Sequence, residues 1–95
     1  MKIYISGAIS GTTDFMERFA KAEKELTEQG YSVVNPAKVN AQLPEDTSYE
    51  EYMKMSFCML DMCEAIFMIQ GWSKSSGSIR EYGYAIAKDM IIMCE

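Results

Sequence analysis

The chain has 95 residues, 48% of them hydrophobic and 24% charged, with a formal net charge of −5. That length supports one domain with a modest core, so residues 1–95 read as a single domain. The acidic balance excludes a broad surface for nucleic-acid polymers, whose binding draws on Lys and Arg contacts to phosphates, and leaves room for a small nucleoside or nucleotide in a local pocket.

A chain this short buries a small share of its surface, which predicts a homodimer or higher homo-oligomer. There is no histidine, and Cys58, Cys63 and Cys94 lack the spacing of a zinc site. Reduced structural thiols are expected, with no metal and no cofactor. Met1 and Lys2 lead into a strand-like run and not a signal segment, and no stretch approaches the roughly 18 apolar residues of a membrane span. The expectation is a cytoplasmic protein without a membrane partner.

In chain order, Lys2 to Ser6 predicts a strand that stops at the glycine-punctuated loop Gly7-Ala8-Ile9-Ser10-Gly11. Asp14 and Glu17 have the spacing of a capping box, and Phe15, Phe19, Ala22 and Leu26 recur at helical spacing until Gly30. Tyr31 to Val34 predicts a second strand, closed by Asn35-Pro36, and the polar stretch from Ala37 to Thr47 reads as a loop. Ser48 and Glu51 form a second capping pair, opening a helix with Tyr52, Met55, Met59 and Met62 on one face as far as about Cys63.

Ala65 to Ile69 is a continuous apolar run of the kind that forms a strand covered on both faces. The serine-rich loop Gly71 to Gly77 follows, then a helix marked by Ile79, Tyr82, Ile86 and Met90, and a last strand from Met90 to Cys94. Strands alternating with helices predict an α/β fold: a three-layer Rossmann- or flavodoxin-like open parallel sheet of about four strands, in order 2-1-3-4. Ligands in such sheets sit beyond the carboxyl ends of the strands where strand order reverses, here where Gly7–Gly11 meets Gly71–Ser78.

Two segments there can carry chemistry. The loop Ser6 to Gly11 joins a strand to a helix, a setting in which backbone N–H groups approach an anion, although the glycines also serve a tight turn. In Ser75-Ser76-Gly77-Ser78-Ile79-Arg80-Glu81, hydroxyls open a helix and a carboxylate falls in its first turn, where the helix dipole keeps it ionised as a nucleophile must be. Ser78 and Glu81 also have the spacing of a capping box, a purely structural use of the same carboxylate. Tyr4 reaches a ligand, orients Glu81 or simply packs; Trp72 stacks on a base or covers the core; Asn35 contacts ligand or shapes the turn before Pro36.

Taken together, Tyr4 to Gly11, Cys63 to Phe67, Gly71-Trp72 and Ser75 to Ala85 resemble the nucleoside 2-deoxyribosyltransferase superfamily over nearly the whole chain. The resemblance is nearest to a short, mostly uncharacterised bacterial and phage branch, and more remote to the 2′-deoxynucleoside 5′-phosphate N-hydrolases. It implies Glu81 as nucleophile, within the element Gly77, Glu81, Gly83 and Ala85, and Tyr4 as the residue that positions it. Ser6, Gly7, Ser10, Gly11, Trp72, Ser75, Gly77 and Ser78 are the implied substrate-binding residues, with Ser75 placed near a 5′-phosphate.

The implied reaction is attack on C1′ of a deoxyribosyl unit, with water or a second base completing hydrolysis or transfer. Departures from the family pattern accompany it. Ser10 stands where the phosphate hydrolases carry arginine, leaving Arg80 or a neighbouring subunit to supply that contact, and Ser56 stands where many short members carry aspartate. Those changes allow an alternative, a non-catalytic nucleotide-binding or phage-accessory module on the same fold.

Overall fold

A computed structural model describes all 95 residues. Strand β1 (Lys2–Ser6) leads through the first loop to helix α1 (Phe15–Glu28), then strand β2 (Ser32–Val34) and the short helix α2 (Pro36–Asn40). Helix α3 (Tyr49–Asp61), strand β3 (Ala65–Met68), a 3₁₀ turn (Trp72–Lys74), helix α4 (Ser76–Ala87) and strand β4 (Ile91–Cys94) complete the chain. The sheet is parallel throughout and its order is β2-β1-β3-β4, as expected from the alternation of strands and helices.

Alternation along β1 decides which groups meet which layer, because successive strand residues point to opposite faces. Ile3 and Ile5 join Phe19, Ala22 and Leu26 of α1 in one core, with Ala37 of α2. Tyr4 points the other way, into a core of Met59, Leu60, Ile66, Met68 and Ala85 beneath α3 and α4. Ser6, two residues on from Tyr4, faces the same side. The middle strands β1 and β3 are in register from Ile3 opposite Ala65 to Ser6 opposite Met68, so both end at the same level.

Several local expectations are corrected. The stretch after Asn35 is not all loop: Asn35 accepts from the Ala37 N–H at 3.0 Å and Pro36 takes the first helical position, starting α2. Asp14 precedes α1 without making a capping bond, and its carboxylate lies 3.3 Å from Arg18 Nε instead. The box at Ser48 and Glu51 forms in full, with bonds of 3.1 and 2.8 Å.

The buried faces of α3 and α4 also differ from the apolar stripes. Met62, Ile79 and Ile86 are about half exposed, whereas Ser56, Ser78 and Glu81 are buried. Burial pushes the Cys63 thiol up to about 11, and all three cysteines are free. No helix is long and apolar enough to cross a membrane.

Candidate active site

The carboxyl-terminal half of β1, through Tyr4 and Ile5, borders a cavity of about 550 Å³, within the range of small-molecule sites. Gly7 and Ser10 from the first loop, and Phe15 and Met16 from α1, form one wall. Pro36, Ala37 and Asn40 of α2 close another, Tyr49, Tyr52, Met53 and Ser56 of α3 a third, and Lys74 to Ser78 with Glu81 the last. Aromatic and aliphatic surfaces thus face a rim of hydroxyls and one buried carboxylate.

Glu81 is 8% exposed and is held from β1. The Tyr4 hydroxyl donates to Glu81 Oε2 at 2.5 Å, and the Ser6 hydroxyl donates to Oε1 at 2.6 Å. Residues 4 and 6 share a strand face, so one strand supplies both donors. Such short bonds to an ionised acceptor are the strong class of hydrogen bond. Each carboxylate oxygen has a second lone pair, so these bonds leave Glu81 able to act toward the cavity.

Burial raises the Glu81 carboxyl above the ordinary glutamate range, and the hydroxyls of Ser6, Tyr4 and Ser56 pull it partly back by favouring the charged form. Tyr4 is pushed well above the ordinary tyrosine range, first by burial and then by the adjacent carboxylate, so it stays a neutral donor. This arrangement corrects the first-turn expectation. Ser75, not Ser78, caps α4, accepting from the Ser78 N–H at 3.3 Å. Glu81 therefore stands in the second turn, where it turns inward to β1 instead of back to the helix start. Capping does not account for it, and burial rather than the dipole governs its acidity.

A family model described as a domain of unknown function, DUF4406, matches residues 1–94. The chain belongs to the DUF4406 family. No curated protein matches this DUF4406 chain significantly in sequence. Among solved structures it is similar to a 2-deoxyribosyltransferase from the psychrotolerant bacterium Bacillus psychrosaccharolyticus, with a TM-score of 0.79 and 20% identity. That likeness covers 99% of this chain and 71% of the other, and it shows a shared fold.

In this DUF4406 protein, Tyr4, Gly7, Ser10, Ser75, Gly77, Ser78 and Glu81 converge on the cavity. Ser6 donates to Glu81 and is 1% exposed, outside the lining. Gly11 lies apart, in a smaller adjoining cavity, and Trp72 lines neither, its ring stacked on Tyr82 with centroids 4.8 Å apart. Asn35 is spent on capping α2 and on Glu23, at 3.0 Å each.

Arg80 does not replace the cation missing at Ser10. It forms a two-pronged pair with Glu50 at 3.0 and 3.2 Å, outside the lining. Gly7 is tightly packed: a Cβ there would sit 3.1 Å from Ile69 Cβ and 3.3 Å from Phe19 Cε1, so these neighbours would have to give way.

Sequence reading missed the contributions of Asn40, Tyr49, Met53 and Lys74. Asn40 sits on a helix too short to show a period. The lysine carries no local signal, since its place beside Ser10 comes from tertiary packing.

Proposed function

We propose that this protein cleaves the N-glycosidic bond of a nucleoside or nucleoside 5′-monophosphate, with Glu81 as nucleophile. The observation that carries the reading is the carboxylate of Glu81, buried at the cavity wall and held through both oxygens by Tyr4 and Ser6. Two fixed donors orient a carboxylate without neutralising it, as a nucleophile requires. The fold shared with a 2-deoxyribosyltransferase supports the substrate class.

In the proposed step an oxygen of Glu81 bonds to C1′ as the C1′–N bond breaks. The departing base keeps the electron pair and takes its proton from solvent. The sugar is then held as an ester of Glu81. Water attacking C1′ regenerates the carboxylate and gives hydrolysis; a second base gives transfer. Tyr4 and Ser6 lose hydrogen-bond strength as the carboxylate charge is spent and regain it on release, which favours turnover. Tyr49 and Tyr52 offer apolar faces on which a base can lie.

Chromatography of free base, after incubation with deoxynucleosides and their monophosphates with and without an acceptor base, tests this reading. Base released by the native protein and absent with Glu81→Gln supports it. No release from any substrate, by protein that still binds nucleotide, shifts the assignment to the non-catalytic binding module.

A further inference from the structure

Helix α4 is committed to α3 along one flank: Tyr84 stacks on Phe57, Arg80 pairs with Glu50 and Lys88 with Asp61. The opposite flank carries Ile79, Tyr82, Gly83 and Ile86, at the i, i+3, i+4, i+7 spacing of one helical stripe. Ile79 and Ile86 are about half exposed, and a Cβ on Gly83 would meet nothing within 4 Å. Beneath this flank runs β4, the outermost strand, with one side unpaired. The Ile91 and Glu95 N–H groups donate to the Glu64 and Met68 carbonyls at 3.0 and 2.9 Å, so the peptide groups of Ile92 and Cys94 point to the open edge. We propose that this flank and edge form a self-association surface, on which two copies of the chain pair β4 with β4 antiparallel across a twofold axis and pack their α4 helices side by side.

The surface is complementary to itself. Ile79 and Ile86 stand equally far on either side of Tyr82-Gly83, so antiparallel helices set Ile79 against Ile86 of the partner subunit. Tyr82, held by its stack on Trp72, then lies over the hollow at Gly83 of the partner subunit. A glycine inside a helix is destabilising relative to alanine, and close approach of a second helix offsets that loss. On the edge, a twofold axis at Met93 lets Ile92 exchange both its peptide hydrogen bonds with the partner's Cys94.

Charge fits the same arrangement. Two copies of a chain with a net charge of −5 repel, so a contact between them needs a surface free of carboxylates or one that complements them. The stripe carries no charged residue, nor does β4, and Glu95 is turned back onto the Gln70 N–H at 2.9 Å. Asp89, just past the end of α4, forms no ion pair within the chain. Antiparallel packing sets it near the positive N-terminal end of the partner's α4. The strand also lacks the devices that protect a free edge, having no lysine, no proline and no bulge.

This surface is separate from the cavity lining, so its test does not depend on the proposed reaction. Sedimentation over a range of protein concentrations is expected to show a dimer. Gly83→Gln fills the hollow where the protomer itself has room, and Ile86→Lys puts a charge on the stripe. Each is expected to weaken dimerisation about tenfold or more, with the far-ultraviolet circular dichroism of the native fold retained.

Cys94→Pro removes an N–H that points only to the open edge, a place where proline is tolerated, and is expected to weaken the dimer likewise. Met16→Lys, at an exposed apolar residue of α1, is expected to leave it unchanged. A native protein that stays monomeric, or a dimer that persists in both helix variants, overturns the proposal. A dimer lost in the helix variants but kept by Cys94→Pro overturns the strand pairing.

Discussion

Glu81 combines two demands that oppose each other, burial and charge. Burial raises its pKa, and hydroxyl donors from Ser6, Tyr4 and Ser56 limit the rise. The acid limb of the kcat/KM profile is therefore expected above the ordinary glutamate range. Tyr4→Phe removes a donor to the charged form, so it should move that limb to still higher pH and lower the plateau by about tenfold to a hundredfold. Rates measured across pH for both proteins check this, and an unmoved limb would remove Tyr4 from the positioning role.

The same shift affects stability with a definite sign. A carboxyl whose folded value exceeds its unfolded value holds its proton more tightly when folded. Stability from this group is thus present below the unfolded value and is lost as pH rises through the folded one. Glu81→Gln removes that loss. Denaturant unfolding is expected to show its stability relative to the native protein improving from acidic to neutral pH. The opposite trend would mean that the carboxylate is better solvated in the fold than its burial implies.

Among the elements, the strands were legible because β1 and β3 are short apolar runs bounded by turn residues, and the helix at Ser48 because its capping box is local. Asp14 shows how far such spacing can mislead: with Arg18 one turn away, its carboxylate is drawn into an ion pair. The faces of α3 and α4 were misread for a reason tied to the site. Ser56, Ser78 and Glu81 turn inward at the cavity, so the most apolar stripe is not the buried one. Helices that contribute a polar pocket violate the periodicity used to find their faces.

The cap of α4 gives a test at this scale. Ser75→Ala should cost about 1 kcal/mol, the usual value of an N-cap. Ser78→Ala should cost less through capping, because its Oγ is buried without a partner. Thermal unfolding of the two variants distinguishes a helix that starts at Ser76 from one that starts after Ser78.

For the whole molecule, the order β2-β1-β3-β4 follows from parallel pairing and right-handed crossovers, which made the architecture readable before any coordinate. What tertiary packing alone could reveal was the convergence of α2, α3 and Lys74 around one cavity. The close approach of the first loop to β3 depends on Gly7, whose missing Cβ makes room for Ile69 and Phe19. Gly7→Ala is expected to destabilise the protein by about 1–3 kcal/mol, as overpacking does. Unchanged stability would mean that Ile69 and Phe19 can withdraw at little cost.

The partners of the buried carboxylate stand far apart in the order of synthesis: 77 residues separate Tyr4 from Glu81. At about 5–20 residues per second, a ribosome takes roughly 4–15 seconds to add that length. Throughout that interval the hydroxyls of Tyr4 and Ser6 bond to other acceptors, water among them, because Glu81 has not yet been added. The buried bonds of Tyr4 and Ser6 to Glu81 therefore form only after residue 81 has been added and α4 has docked on β1.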